Sequence, residues 1–413
     1  MRALLCGLMF FCATAGHALA SGVVRVTLAE TLSTVLTHNP EIAAAVQQRA
    51  VAVAETRIAG AYPNPEVALG SGRWQPRSGI PGTGSAQQLM VSQPIETPSV
   101  RDARARAAGF GVSAADAGAQ SIRLDVGFEA RAAFFQLLRR QEESRLAEEN
   151  VALLADIFSR VRSRVEVGEA PRFELVRAEA EVLSARTQAD ASRLQVEEAR
   201  GLLRRLSGNA LPAQFETSGR LHGVASLPDL TLLQGRMLDA NPRLRVLSSE
   251  YDRMRARLDQ ERALRTPQPT ISITQSQDPE TRQTSFGVAL PLPLWNRRDG
   301  QIAQVQAGID LALTQIEAQR VQLLRELDVA YSRASIAQRQ VETFESGLLS
   351  SAQSALKVAE AAWRFGERSF LEVLDAQRTL RSVRREYNQV RFDRHAAWIE
   401  IERLQALDPF GER

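Results

Sequence analysis

The stretch Trp363-Arg-Phe-Gly-Glu-Arg-Ser-Phe-Leu-Glu-Val-Leu-Asp-Ala376 has the pattern of a helix end, a one-glycine turn and the start of a second helix. An earlier stretch, Arg164-Val-Glu-Val-Gly-Glu-Ala-Pro-Arg-Phe-Glu-Leu-Val-Arg-Ala178, repeats this pattern. The Gly-Glu pairs and the closing alanines of the two stretches align. We interpret the stretches as the turns of a repeated helical hairpin, and we expect the two turns together to form one end of a tube.

Three short motifs recur in the same order in both halves of the chain. They are Asn39-Pro40 with Asn241-Pro242, Pro63-Asn64-Pro65 with Pro267-Gln268-Pro269, and Arg101-Asp102 with Arg298-Asp299. Proline cannot continue a helix and biases its predecessor towards an extended conformation, so the proline motifs mark element boundaries. The sequence therefore predicts a mainly α-helical chain with a small β part, built from two copies of helix–helix–strand–strand–long helix–helix.

The repeat divides the chain into five predicted segments. They are a signal peptide at 1–20, a first repeat at 21–210 with a β-hairpin at 66–95 and a turn at 168, a linker at 211–227, a second repeat at 228–407 with a β-hairpin at 270–292 and a turn at 366, and a tail at 408–413. The signal peptide is predicted because Arg2 precedes an apolar run and Ala18-Leu19-Ala20 fits a cleavage site. Both cysteines, Cys6 and Cys12, lie within it, so we expect no disulfide in the mature chain.

The four predicted strands alternate apolar and polar residues. In the second strand, Leu89, Val91 and Ile95 fall on one face, whereas Gln88 and Met90 fall on the other. Strands of about eight or nine residues are near the length that a tilted strand needs to cross an outer membrane. Four strands cannot close a barrel, and open edges are not tolerated in lipid. If the strands span lipid, several chains must pool them.

The segments after the strands predict unusually long helices. No proline occurs between Pro98 and Pro171, and the residues between them are mostly strong helix formers. A continuous helix from Arg101 to Val167 would be about 100 Å long. In the second half, apolar residues and alanines recur at steps of three and four, which favours coiled-coil packing.

Composition argues against several other functions. The chain has 51 basic and 48 acidic residues, with Lys357 as the only lysine, so no basic patch predicts a nucleic-acid partner. His38, His222 and His395 show no metal-ligand spacing, and we predict neither a bound metal nor a cofactor. There is no catalytic triad and no phosphate-binding loop, so we expect no enzyme activity.

The two-fold repeat, the Asn-Pro starts, the proline-bounded hairpins and the Gly-Glu turns together resemble the TolC family of outer-membrane efflux ducts. Pro63-Asn64-Pro65, Ser92-Gln93-Pro94-Ile95-Glu96 and Pro291-Leu292-Pro293 with Asn296-Arg297 look most like its heavy-metal (CzcC-like) branch. The resemblance implies a homotrimer in which a transmembrane β-barrel of twelve strands, four per chain, joins a long coiled-coil helical barrel in the periplasm. It also implies a periplasmic adaptor and an inner-membrane RND-type pump as partners, and an outer-membrane location in contact with lipid.

The resemblance also implies a gate at the turns. Arg368, Glu372 and Asp375 match the family's tip motif, with Glu372 in place of an aspartate, while Trp363 stands where the family has tyrosine and Glu174 is the acid of the first turn. Three-fold symmetry would gather these carboxylates into rings that attract cations in a narrow neck. We expect Arg368 to pair with Glu174. The alternative is that all of these are solvated charges on amphipathic helices.

The tips of the turns are the candidate adaptor contact. They consist of Val167, Gly168, Glu169, Phe365, Gly366 and Glu367. The alternative is a helix C-cap with no partner, because glycine at this position is explained by backbone geometry alone.

Three functions remain open at this point. The first is a passive exit duct for heavy-metal cations, delivered by a pump and an adaptor. The second is the same duct serving drug efflux or type I protein secretion, since the chain itself does not name the cargo. The third is a soluble periplasmic coiled-coil scaffold without a barrel.

Overall fold

The computed structural model describes residues 24–75, 82–219, 221 and 227–410. The predicted signal peptide at 1–20 and parts of the predicted linker and tail lie outside these ranges. The elements in chain order are β1 Val24–Val26, α1 Leu28–His38, α2 Pro40–Gly60, β2 Glu66–Trp74, β3 Gly84–Pro94, α3 Pro98–Glu166, α4 Arg172–Leu206, β4 Phe215–Thr217, α5 Leu230–Ala240, α6 Pro242–Ala263, β5 Thr270–Gln277, β6 Arg282–Ala289, α7 Asp299–Thr343, α8 Leu349–Arg364 and α9 Phe370–Leu404.

The order of elements confirms the two predicted repeats. Helices α1 to α4 and α5 to α9 each frame one β-hairpin, and the returning helices α4 and α9 both have 35 residues. Helix α3 is unbroken over 69 residues, which corresponds to about 100 Å. The Asn-Pro motifs start α2 and α6 in the same way: Asn39 Oδ1 accepts a hydrogen bond from the Glu41 amide at 2.8 Å, and Asn241 Oδ1 accepts one from the Arg243 amide at 3.0 Å.

The four long strands form one antiparallel sheet in the order β2-β3-β5-β6. The two hairpins join through β3 and β5, where Val91 lies opposite Ile273. The predicted end of the last strand was wrong, because β6 stops at Ala289 and not at Leu292. Pro291 and Pro293 follow at once, and a residue without an N–H cannot continue the ladder.

A second, small sheet was not predicted. Strand β1 pairs in parallel with β4, with Val24 opposite Phe215. Phe215 is fully buried, and its carbonyl oxygen accepts a hydrogen bond from Arg200 Nε at 3.0 Å. This part of the predicted linker is therefore packed against the helical body.

The second long helix differs from α3 because a π-helical turn, Phe344–Leu348, separates α7 from α8. Before this turn, buried residues of α7 correspond to buried residues of α3 that lie 197 positions earlier in the chain. Beyond the turn the offset is 198, between the buried residues Leu154 and Ala352. The corresponding pairs before the turn are Val126 and Leu323, Ala130 and Leu327, Ala133 and Ala330, Leu137 and Ala334, and Ser144 and Val341. The second repeat thus carries one extra residue, and a π turn absorbs a single insertion without rotating the rest of the helix.

Two apolar cores matter for function. One lies beside the small sheet and contains Phe128, Phe134, Leu203 and Phe215. The other lies near the helical turns and draws residues from both hairpins, including Val161 from α3 and Val182 from α4 together with Phe370 from α9. Because this second core is shared, the two hairpins pack side by side up to their turns.

Candidate functional site at the helical turns

The two turns have the same hydrogen-bond geometry. In the first, the Gly168 amide donates to the Val165 carbonyl at 3.1 Å and the Glu169 amide donates to the Arg164 carbonyl at 2.8 Å. In the second, the Gly366 amide donates to the Trp363 carbonyl at 3.1 Å and the Glu367 amide donates to the Ala362 carbonyl at 2.9 Å. Both glycines have positive φ, +82° and +74°, so each turn is a glycine C-cap that an L side chain would strain.

The predicted tip residues all lie on the surface. Val167 and Phe365 precede the two glycines, and 71% and 82% of their surfaces are exposed. Glu169 and Glu367 are also exposed. Phe173, on the first turn of α4, is a further exposed apolar residue that was not among the predicted tip residues. Each hairpin therefore ends in an exposed apolar residue beside a carboxylate.

Trp363 is buried, not displayed at the tip. Its ring packs against Phe370, with ring centroids 5.9 Å apart, and only 6% of the residue is exposed. The Arg164 guanidinium carbon lies 5.5 Å from the centre of the indole, within cation–π range. Because Arg164 belongs to α3 and Trp363 to α8, this contact joins the two hairpins at their turns.

The structure corrects the predicted partner of Arg368. Within the described chain Arg368 does not pair with Glu174, because its Nη1 donates to Glu372 Oε2 at 3.0 Å. The two residues are four apart on one helix and both are exposed, so this pair stabilises the fold by less than about 1 kcal/mol. It aligns the Glu372 carboxylate beside the turn without linking the two hairpins.

Two of the predicted gate acids remain uncommitted. Asp375 is exposed and Glu174 is half-buried, and among the described residues neither carboxylate has a hydrogen bond or an ion pair. An uncommitted carboxylate keeps its full charge available to a passing cation or to a second chain. The pair Asp375 and Glu174 is therefore the chemically available part of the predicted gate.

Two further contacts near the turns connect the hairpins and were missed from the sequence. Gln377 Nε2 donates to Asn150 Oδ1, and both residues are buried. Arg378 Nη2 donates to Glu181 Oε1, which links α9 to α4. Both pairs join residues that are far apart in sequence, so no local pattern reveals them. Together with Arg164 and Trp363, they hold the second hairpin against the first.

The sheet at the other end of the helices has two unlike faces. Val67, Val91, Ile273 and Phe286 lie opposite one another across all four strands and are exposed. The neighbouring row on the other face consists of Ala68, Met90, Thr274 and Ser285. The sheet thus carries a continuous apolar row on one face and a more polar row on the other.

Within the described ranges the structure contains neither a membrane-spanning helix nor a metal-binding cluster. No described helix is both long enough and apolar enough to cross a bilayer. No cluster of three or more His, Cys, Asp or Glu side chains in the described ranges is placed to hold a metal ion. Of the histidines considered above, His222 lies outside those ranges.

Known proteins share this sequence pattern and fold. The profile of a family described as outer membrane efflux protein matches residues 31–209 and 233–406. The cobalt-zinc-cadmium resistance protein CzcC of Cupriavidus metallidurans is 30% identical over 313 residues, covering 75% of each chain. The nickel-cobalt-cadmium resistance protein NccC of Alcaligenes xylosoxydans is 25% identical over 251 residues, covering 59% of this chain and 55% of that one. The crystal structure of CusC, described as undergoing transmembrane channel formation, matches with a TM-score of 0.80 at 16% identity, covering 94% and 92% of the two chains.

The repeated helical hairpins and the two-faced sheet define a channel-forming chain of the outer membrane. The chain belongs to the outer membrane efflux protein family. It is a passive efflux channel of the Gram-negative outer membrane with a periplasmic helical extension, and it is not an enzyme.

Proposed function

We propose that three copies of this chain form one duct that conducts heavy-metal cations out of the cell. The observation that carries the proposal is the apolar row Val67–Val91–Ile273–Phe286 on a sheet whose edge strands, β2 and β6, have no partner within the described chain. Lipid does not tolerate open edges, and joining the β6 edge of one copy to the β2 edge of the next removes both. Three copies would close a barrel of twelve strands with its apolar face outward.

The helical turns would then form the periplasmic end of the duct. Three-fold symmetry would bring three copies of Asp375 and Glu174 around one axis, with Glu372 held nearby by Arg368. A ring of carboxylates in a narrow neck attracts cations and repels anions. Trp363 would not line the gate. It would instead hold the second turn in place by packing against Arg164.

The cargo is proposed from the named relatives. CzcC and NccC are named for resistance to cobalt, zinc, cadmium and nickel. Divalent cations of this kind also suit an acidic gate. A periplasmic adaptor and an inner-membrane RND-type pump would deliver them, since the channel itself carries no energy source. Drug efflux and type I secretion are the competing assignments for the same duct.

The orientation of the sheet can be tested with a matched pair of variants. Phe286→Arg would place a cation on the proposed lipid face, which costs about 2–4 kcal/mol near the bilayer midplane, whereas Ser285→Arg would place it on the lumen face. We expect Phe286→Arg to abolish heat-modifiable migration and recovery in the outer-membrane fraction, while Ser285→Arg retains both. Equal behaviour of the two variants would contradict the barrel and favour a soluble scaffold.

The cargo requires a separate test. A host that expresses the neighbouring pump and adaptor but lacks this channel should regain cadmium, zinc and cobalt resistance when the chain is supplied. A matched challenge with dyes and detergents identifies drug efflux. Restored dye resistance without restored metal resistance would reassign the cargo and leave the duct itself intact.

The adaptor is proposed to dock at the tips, on Val167 and Phe365 with Glu169 and Glu367. Val167→Ser with Phe365→Ser removes the exposed apolar groups without touching the positive-φ glycines. We expect lower metal resistance and weaker cross-linking to the adaptor, with normal outer-membrane assembly. The matched control is Val358→Ser, which removes an exposed apolar group from the side of α8. Normal resistance in the double variant would show that the tips are not the contact.

A further inference from the structure

A groove lies between the two hairpins, on the side of the proposed gate that faces away from the turns. It is bordered by α3, α4, α8 and α9 and has a volume of about 910 Å³. This volume is within the range of small-molecule sites in proteins. Six cationic and four acidic side chains line the groove. The cationic residues are Arg139, Arg140, Lys357, Arg381, Arg384 and Arg385.

Four of these cationic side chains are available to bind a ligand. Among the described residues, Lys357, Arg381, Arg384 and Arg385 have neither a hydrogen bond nor an ion pair. The three arginines are spaced at three and four residues on α9, so they share one face of that helix. Lys357, the only lysine of the chain, approaches the same groove from α8. Unpaired cations on two helices thus border one space.

The four acidic side chains of the groove do not neutralise its six cationic side chains. Glu143 is shared by two cations, at 3.2 Å from Arg139 and 2.8 Å from Arg140. Glu149 is paired with Arg145, which lies outside the groove. Glu386 accepts a hydrogen bond from Ser382, and Glu360 is the remaining acid. The groove therefore keeps an excess of positive charge.

A buried group gives a second, independent indication. Arg139 is 95% buried at the groove wall, and its Nε has no hydrogen-bond partner among the residues that the structure describes. Burial lowers the pKa of Arg139, because a desolvated guanidinium is insufficiently compensated by its neighbours. Arg139 therefore adds an incompletely neutralised positive charge behind the groove wall.

We propose that this groove binds a multivalent oxyanion, either a phosphate or a di- or tricarboxylate. Guanidinium groups bind both kinds of anion through paired, charge-assisted hydrogen bonds. The anion would contact α9 through Arg381 and Arg384, α8 through Lys357 and α3 through Arg140, whose side chain is partly exposed. A single ligand would therefore bridge the two hairpins, at a point about 9 Å along α9 from Asp375. This site is distinct from the carboxylate gate and takes ligands of opposite charge.

The test is calorimetric titration of the purified channel in detergent with pyrophosphate and, separately, with citrate at matched ionic strength. We expect saturable binding of at least one of them, while sodium chloride at that ionic strength gives no saturable signal. Lys357→Gln, Arg381→Gln and Arg384→Gln should each weaken binding about tenfold, since each removes a charge-assisted contact. Arg384→Lys keeps the charge and should retain part of the affinity. Pyrophosphate binding alone would assign a phosphate site, and citrate binding alone a carboxylate site.

Two exposed arginines provide controls. Arg186 and Arg333 also lack ion pairs among the described residues but do not line the groove. Arg186→Gln and Arg333→Gln should leave the affinity unchanged within about twofold. Absence of saturable binding by both anions, or equal loss in the controls, would overturn the proposal. So would native mass spectrometry showing that the groove variants dissociate the oligomer without any added anion, because carboxylates of a neighbouring copy would then occupy the groove.

Discussion

The side-chain amide of Asn39 donates a hydrogen bond to the carbonyl oxygen of Leu206 at 2.9 Å, across the whole first repeat. Asn39 is 97% buried, and its Oδ1 caps the start of α2 at the same time. The second repeat has the same arrangement, in which Asn241 Nδ2 donates to the Leu404 carbonyl at 3.0 Å. The Asn-Pro motif therefore does more than start a helix, because it fastens that start to the end of the last helix of its own repeat.

Asn39→Asp separates the two roles of this side chain. Aspartate caps a helix as well as asparagine does, but it cannot donate to Leu206 and would set a carboxylate against a carbonyl oxygen. We expect a loss of about 1–3 kcal/mol in the free energy of unfolding. Chemical denaturation measures this loss, with the exposed Asn64→Asp as the control. A variant as stable as the control would show that capping is the only role of Asn39.

The π turn predicts an unusual tolerance to deletion. Removing Gly347 takes out the extra residue, so α7 and α8 should join as one α-helix with Ala352 still facing the core. Removing Ala152 from the unbroken α3 should instead rotate Leu154 and Val161 by about 100° out of their packing positions. We expect the first deletion to change stability by less than about 1 kcal/mol and the second to cost several kcal/mol. Thermal unfolding followed by circular dichroism compares them, and equal losses would contradict the insertion.

Ionisation of Tyr387 should affect the same region at high pH. Its hydroxyl donates to Glu345 Oε1 at 2.8 Å beside the π turn, and the pKa of Tyr387 is raised, first by burial and then by this hydrogen bond. The folded state thus favours the neutral phenol. Its contribution to stability is fully present below the ordinary tyrosine pKa, near about 10, and is lost as the pH rises through the higher folded-state pKa.

A spectroscopic titration checks this sign. Tyr387 should form phenolate above the ordinary tyrosine pKa, and Tyr387→Phe should remove that late phase. The variant should also lose stability less steeply above pH 10 than the wild type. If the late phase persists in Tyr387→Phe, another tyrosine carries it. Tyr251→Phe, which changes a residue on α6, is the matched control.

The proposed gate makes opposite predictions for its acid and its base. Asp375→Ala should weaken block by multivalent cations about threefold or more, because a ring loses its carboxylates. Arg368→Ser should raise conductance, since it frees Glu372 and removes a cation from the neck. Single-channel recordings in planar bilayers measure both effects. Asp310→Ala, an exposed acid on α7, should change neither property, and a channel in which Asp375→Ala behaves like this control would lack the proposed gate.

Local signals in the sequence predicted the repeats, the turns and the β-hairpins. Gly168 and Gly366 require positive φ, and the prolines around each hairpin exclude helix, so a few residues placed these boundaries within about three positions. The pair of Arg368 with Glu372 was also local. The prediction was wrong because it chose Glu174, on the other hairpin, over Glu372, which lies four positions after Arg368 and faces the same side of the helix.

The missed features depend on distant residues. Strands β1 and β4 have only three residues each, too few for an alternating pattern. Gln377 and Asn150 are polar residues on helices, and only the packing of α9 on α3 buries them together. The π turn escaped because coiled-coil steps of three and four pass through Val341, Phe344 and Leu348 without interruption. Its presence becomes visible only when buried positions in both repeats are compared.

The π turn also bears on how a duplicated chain diverges. One inserted residue in a continuous α-helix rotates every later side chain by about 100° away from its packing position. Such an insertion would normally be lost by selection. Here the insertion is confined to a single turn, and beyond it Arg164 of the first hairpin still contacts Trp363 of the second. The two halves of the gene could therefore diverge in length while the contact between the two helical turns was kept.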